Sequence, residues 1–281
     1  MKKVISYSLW GNDPFYTVGA IQNAKMNPEI FGNEWTSRFY IHKDVSSDVV
    51  QEINNCENVE VYIINEDPNW SGMFWRFWCI SDPEVDISIF RDTDSRPSKR
   101  DYYTVTEWIE SSMKSIHIMR DHPYHTDCMM GGMWGCRNKG FSDLILLALN
   151  LPKFNIKTMI ESWVDIEKEE SIKGIDQNFL RKVIYPIFSS KDDIFVVDAF
   201  PHYNCFSRRF DEQRYTDRKL NNKGPVREFS TGFPTKRGEF GGYKCNDFIG
   251  QVYDENNIPN KEYAELLKQR DDCIYQDWDK E

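Results

Sequence analysis

Three short strand-like runs, residues 4–9, 38–42 and 59–64, are separated by stretches whose apolar residues recur with helical rather than alternating spacing. Strands joined by helices of that length do not form hairpins, so they predict βαβ units and a largely parallel sheet. Asp13 can cap the first helix, with Pro14 preset for the helical φ at its first position. That helix is expected to run to about Lys25 and to be stopped by Pro28. Ser46 or Ser47 starts the second, which carries Val49, Val50 and Ile53 on one face. Further on, a short aromatic helix is predicted over 73–80, then a strand ending at Asp92. A helix over 99–113 and a strand over 115–119 follow, then an irregular stretch over 122–140. Helices are predicted over 141–149, 154–168 and 176–188, and a last strand over 194–197. Beyond about residue 205 glycine and proline interrupt the pattern. The expectation is one α/β domain over 1–205 with an irregular extension, 206–281, packed on it.

Of 281 residues, 40% are hydrophobic and 15% aromatic, enough for a sizeable core. The longest apolar run, 144–151, falls far short of the roughly 20 residues a membrane-crossing helix needs. Met1 is not followed by an apolar leader, and the seven cysteines lack paired spacing, so reduced thiols and a cytoplasmic location are expected. A net charge of −10 argues against general nucleic-acid binding, which needs a cationic surface. The local exception is 208–227, where Arg208, Arg209, Arg214, Arg218, Lys219, Lys223 and Arg227 outnumber Asp211, Glu212 and Asp217. It reads as a solvated loop, or as an anion-binding patch through which peripheral membrane contact is conceivable.

Chemistry concentrates where the strand before Asp92 ends. Ile87-Ser88-Ile89-Phe90-Arg91 runs into Asp92-Thr93-Asp94, two carboxylates one residue apart. Carboxylates placed where a buried strand reaches the surface suit a hard divalent cation such as Mn²⁺ or Mg²⁺. The carboxyl ends of strands are also where open α/β sheets bind ligands. An EF-hand is excluded, because Pro97 and Tyr103 stand where its loop needs glycine and glutamate. A haloacid-dehalogenase-like phosphatase places its Asp-x-Asp after the first strand, and its downstream lysine-plus-acid pattern is not evident. His122, His125 and Cys128, with His117 and Cys136 near them, suggest zinc at first sight. Their spacing matches no finger or zincin pattern, and the intervening Pro123 fits a folded pocket loop better.

The 87–95 segment resembles the Asp-x-Asp segment of GT-A fold glycosyltransferases. Three more stretches resemble that family in order: Gly72-Met73-Phe74-Trp75-Arg76-Phe77, Gly131-Gly132-Met133-Trp134-Gly135, and Gly174-Ile175-Asp176-Gln177-Asn178-Phe179-Leu180. With His117-Ile118-Met119-Arg120-Asp121-His122-Pro123, they are similar to a group of uncharacterised bacterial and viral glycosyltransferase-like proteins. The resemblance spans about 3–205. It implies a GT-A type fold, a Rossmann-like, mostly parallel sheet flanked by helices. It also implies metal-dependent transfer of a sugar from a nucleotide-diphosphate donor, UDP- or GDP-linked with UDP favoured, to a hydroxyl of a glycan or other acceptor.

The roles it implies are specific. Asp92 and Asp94 would hold the cation, with His202 either a third ligand or a packed side chain. Residues 7–10, Tyr7 and Ser8 foremost, would face the nucleotide. Arg76 would reach the donor or snorkel from a core helix. Arg91 and Arg96 would neutralise phosphate or pair with local carboxylates. Gly131 and Gly132 would form turns or admit a ligand closely, and Trp134 would stack on a sugar ring. Asp176 would cap a helix, act as general base for the acceptor hydroxyl if the reaction inverts the anomeric centre, or with Gln177 orient the sugar on the face away from the phosphate if it retains, the outcome favoured. The rival readings are a phosphatase or nucleotide-sugar hydrolase, and a non-catalytic carbohydrate-binding protein.

Overall fold

In the computed structural model, which describes residues 1–66, 70–120, 125, 127–167, 173–198 and 249–263, the alternating pattern becomes β1 (Lys3–Leu9), α1 (Pro14–Phe31), β2 (Trp35–His42), α2 (Ser47–Asn54) and β3 (Val59–Ile64). β1 pairs parallel with β2, and β2 with β3. β4 (Ile87–Phe90) joins the free side of β1, also parallel. The chain continues through α3 (Lys99–Ser111), β5 (Ile116–Arg120), β6 (Trp134–Arg137), α4 (Asn138–Leu149) and α5 (Ile156–Glu167). It then passes through α6 (Ile175–Phe179) and α7 (Tyr185–Ser190) to β7 (Ile194–Asp198). The sheet order is β3-β2-β1-β4-β6-β5-β7, with β6 antiparallel to both its neighbours. This is the mostly parallel, helix-flanked sheet expected of a GT-A type chain. Its two faces bury separate apolar clusters, one including Tyr7, Phe31, Phe39 and Trp108, the other Phe74, Phe77, Phe90, Trp134 and Phe141. Covering both faces is what buries β1 and β2 along nearly their whole length.

Four expectations are corrected. Pro28 does not stop α1; it sits near the helix's C-terminal end, where a missing N–H forfeits one bond. The helix ends instead at Gly32, whose φ of 79° is left-handed and whose N–H donates to the Pro28 carbonyl. β6 lies inside the stretch expected to be irregular, because four residues buried on both faces show no alternation. The aromatic helix is a 3-10 segment, Trp70–Ser81. The helix over 176–188 is broken into α6, a π-helical turn at Leu180–Ile184, and α7. Among the described residues no helix is long and apolar enough to cross a membrane. The 208–227 run and most of the 206–281 extension lie outside the described residues.

His117 and Cys136 are buried in neighbouring strands of the sheet rather than gathered at a metal. The His117 ring stacks on Trp108 at 5.4 Å, and neither ring nitrogen has a hydrogen-bond partner among the described residues. Burial, reinforced by Arg91 and Arg100, holds its pKa well below the ordinary 6.5. The unfolded chain therefore takes up a proton that the folded chain refuses. Stability from this residue is complete above pH 6.5 and falls as the pH drops below it. Urea unfolding between pH 8 and pH 5 should show that slope, and His117→Phe should flatten it. A slope unaltered in the variant would assign the effect to another group.

Candidate active site

β1 and β4 are parallel neighbours, so their carboxyl ends reach the same rim of the sheet. A cavity of about 370 Å³ opens there. Residues 8–10 border it from the end of β1, and Asp92, Thr93, Asp94 and Ser95 from the end of β4. Met73 and Arg76 come from the 3-10 segment, 131–133 from the approach to β6, and Gln177 from α6.

Arg76 organises the site. Ser6 and Ser8 point to one side of β1, as residues two apart must, and fasten the 3-10 segment there. The Ser6 hydroxyl donates to the Arg76 carbonyl at 2.7 Å, and the Arg76 N–H donates to Ser8 Oγ at 2.9 Å. The guanidinium then bridges two acids, giving Nη1 to Asp92 Oδ1 and Nη2 to Asp176 Oδ2 at 2.6 Å. Arg76 is 4% exposed and Asp176 0%. Burial alone would discharge the guanidinium, but the two carboxylates more than compensate and raise its pKa. Arg76 is therefore no snorkelling side chain; it is a fixed charge held between two opposite ones.

Asp176 is not the N-cap of α6, a position held by Gly174; its carboxylate is turned to Arg76, and the Gln177 N–H also favours its charged form. It does not border the cavity either, whereas Gln177 beside it does. A general base must reach the proton it removes, and the Asp176 carboxylate is enclosed against Arg76. The structure thus places the Asp176 carboxylate on Arg76 and not among the residues that border the cavity. Burial pushes its pKa up while Arg76 opposes the shift, and its Oδ1 is buried without a hydrogen-bond partner.

Gly131 and Gly132 make this arrangement possible. A Cβ on Gly131 would lie 2.0 Å from Asp176 Oδ2, and one on Gly132 would lie 1.9 Å from Asp92 Oδ2. The close approach expected for a ligand is thus made by the site's own carboxylates. Gly132→Ala is expected to lower stability by about 1–3 kcal/mol, the usual effect of forcing a methyl into packed space. A urea midpoint equal to that of the parent would show that Asp92 swings aside freely.

Asp94 is half-buried beside Asp92. Burial first, then the Asp92 charge, push its carboxyl up to about 7 against the pull of Arg76 and Arg96. Among the described residues no group of three His, Cys, Asp or Glu side chains could enclose a metal, and His202 lies outside them. Two oxygen donors that repel each other at a cleft still fit a hard cation that completes its shell with water and phosphate oxygens. They do not fit an all-protein cage.

Three expected site residues are elsewhere. Tyr7 points to the opposite side of β1 from Ser8; it accepts the Asn27 amide at 3.0 Å and stacks on Phe39 at 4.7 Å. Arg91 grips both oxygens of buried Asp101, at 2.8 and 2.6 Å, which ties α3 to the end of β4. Trp134 is fully buried, 4.2 Å from Phe90 and 5.2 Å from Phe77, and cannot stack on a sugar. His125 does border the cavity, as a pocket-loop residue should, while His122 lies outside the described residues. Tyr16, Trp70, Lys173, Gly250, Val252 and Tyr263 border it unforeseen. Only Tyr16, one turn into the capped helix, carried a signal that could have found it.

No family model matches the chain, and no curated protein matches it. Among solved structures it is similar to S. aureus TarS 1-349 in complex with UDP, at 12% identity and a TM-score of 0.43, over 79% of this chain and 72% of that one. It is also similar to the glycosyltransferase GlyE of Streptococcus pneumoniae TIGR4, at 12% identity and a TM-score of 0.42, over 70% of this chain and 45% of that one. A third is glucosyl-3-phosphoglycerate synthase from Mycobacterium tuberculosis with Mn²⁺, UDP and phosphoglyceric acid, at 9% identity and a TM-score of 0.36, over 50% and 57%. The chain spans little more than half the length of several such structures, 54%, 57% and 58%. Similarity at this level establishes neither family membership nor activity.

Proposed function

We propose that this cleft binds a nucleotide-diphosphate sugar, UDP-linked in preference, together with Mn²⁺ or Mg²⁺ on Asp92 and Asp94. It then transfers the sugar to a hydroxyl of a glycan or other acceptor. The observation that carries the reading is the Asp92–Arg76–Asp176 bridge with Asp94 beside it. Asp92, Asp94 and Asp176 outnumber the cations Arg76 and Lys173 here, a poor place for a diphosphate unless a divalent cation adds positive charge. When bound, the cation supplies positive charge where the diphosphate departs. Arg76 supplies a second positive charge whose orientation is set before any ligand arrives, and preorganised charge is what stabilises a developing anion. Asp176 acts through Arg76, which leaves Gln177 to orient the sugar in the retaining alternative. Gln177 offers an amide to sugar hydroxyls, and Trp10, Tyr16 and Trp70 offer aromatic surface to a base or sugar ring.

The test is calorimetric titration with UDP-sugars, with and without Mn²⁺, followed by identification of the released product. Metal-dependent binding and release of the nucleoside diphosphate are expected. Release of inorganic phosphate would favour the phosphatase, and binding without turnover the carbohydrate-binding protein.

A further inference from the structure

Residues 249–263 return to the cleft as a small hairpin. Tyr253 bridges to Pro259, the Asp254 N–H donates to the Ile258 carbonyl at 2.9 Å, and the Asn260 N–H donates to the Val252 carbonyl at 2.8 Å. The Asp254 carboxylate accepts the N–H groups of Asn256 and Ile258 at 2.9 and 2.8 Å. Asn257 has a left-handed φ of 60°, which asparagine tolerates better than most residues. The hairpin is shaped by its own bonds before it meets anything else.

It docks on the turn that carries the two candidate metal ligands. The Tyr253 N–H donates to the Asp94 carbonyl at 2.9 Å, and Val252 bridges to Ser95. Arg96 lies buried beneath. Its Nη1 donates to the carbonyls of Thr93 and Ser95 at 3.0 and 2.9 Å, and its Nε to Asn257 Oδ1 at 2.8 Å. The guanidinium faces the Tyr253 ring, 5.0 Å from its centroid. Its partners are oxygens of the turn and of the hairpin, so one side chain holds both. Gly19 of α1 packs so tightly here that a Cβ would lie 1.9 Å from the Thr93 carbonyl oxygen. The turn is thus wedged between α1 and the hairpin.

The hairpin also completes the cavity. Gly250 and Val252 border it, and a Cβ on Gly250 would lie 2.8 Å from the His125 ring and 3.1 Å from Met133 Sδ. β1 and β6 flank β4 in the sheet, so this wall stands on the β6 side of Asp92, across from residues 8–10.

We infer that Arg96 is a positioning residue that latches the 252–260 hairpin onto the 92–95 turn through Asn257 and Tyr253, and that the latched hairpin forms the wall enclosing the donor. The enclosing role rests on the nucleotide-sugar reading of the cleft; the latch does not. Asn257→Gly keeps the left-handed backbone and removes the side-chain oxygen, while Asn257→Asp keeps both. In the full chain, Asn257→Gly is expected to speed hydrogen exchange at the Tyr253 amide. It should also weaken Mn²⁺-dependent UDP binding about tenfold, as losing one hydrogen bond to a charged group would. Asn257→Asp should restore both, with the melting temperature the same in all three. Unchanged exchange in Asn257→Gly overturns the latch. Faster exchange with undiminished UDP affinity overturns the hairpin's part in the cleft. A parent chain that binds no UDP ends the nucleotide reading and the enclosing role with it, while the exchange comparison still decides the latch.

Discussion

Arg76→Met is expected to lower folding stability by about 3–5 kcal/mol, the usual penalty when one member of a buried ion pair is removed and the other keeps its charge. Among the described residues Asp176 has no other counter-charge within ion-pair reach, and it has no solvent exposure, so it inherits the whole cost. Against the 5–15 kcal/mol that a domain has in total, such a loss leaves part of the population unfolded. The pH dependence distinguishes this cause from lost packing. In the parent, burial already raises the Asp176 pKa above 3.8 and Arg76 holds it back. Without Arg76 it rises further, so the folded variant binds a proton that the unfolded chain releases. Its stability therefore falls as the pH rises above the unfolded value near 4, and the penalty shrinks again toward acid. Replacing both partners, Arg76→Met with Asp176→Leu, should recover much of the loss and remove the part of the slope due to Asp176, because neither member of that pair is left buried and charged. Urea unfolding of the three proteins at pH 5 and pH 8 decides the matter. A loss under about 1 kcal/mol in the single variant, typical of a solvent-screened pair, would contradict the burial argument.

The same residues show what could be read from the chain and what could not. Short strand-like runs separated by stretches of helical spacing identified β1 to β4 and put Asp92 and Asp94 at the rim, because both signals are local. Period 2 also guarantees that Tyr7 and Ser8 face opposite ways, yet it does not say which faces the cleft. That choice is made by Ser6 and Ser8 bonding to the 3-10 segment some 70 residues away. Arg76 and Arg91 flank one strand and look alike in sequence. What separates them is that Arg91 meets Asp101 ten residues on, whereas Arg76 meets Asp176 a hundred residues on. Trp134 reads as a loop residue because β6 is too short to declare itself. The hairpin over Arg96 has its contact at a separation of 161 residues, and no periodicity encodes a partner at that range. Sequence reasoning thus named Ser8, Arg76, Gly131, Gly132 and Gln177, which the fold brings to the border of one cavity, and missed the bonds among the residues around it.

Those bonds also rank the two candidate metal ligands, with Asp94→Ala expected to reduce Mn²⁺-dependent nucleotide binding by more than about a hundredfold. Asp92 has one oxygen committed to Arg76, and its other lies against Gly132. Asp94 makes no ion pair among the described residues, and its carboxyl is pushed up to about 7 by burial and by Asp92. It is the donor with most to gain from a cation. Asp92→Asn keeps one oxygen, and one oxygen of Asp92 is already committed to Arg76, so its effect should be smaller than that of Asp94→Ala. The stability change should run the other way. A carboxylate held above its unfolded pKa weakens the folded state at pH 8, so Asp94→Ala should melt at or above the parent temperature while failing to bind. Loss of binding without loss of stability would mark Asp94 as a residue retained for its ligand. Affinity equal to the parent's, measured by calorimetry at saturating Mn²⁺, would remove the cation from this turn and the diphosphate with it.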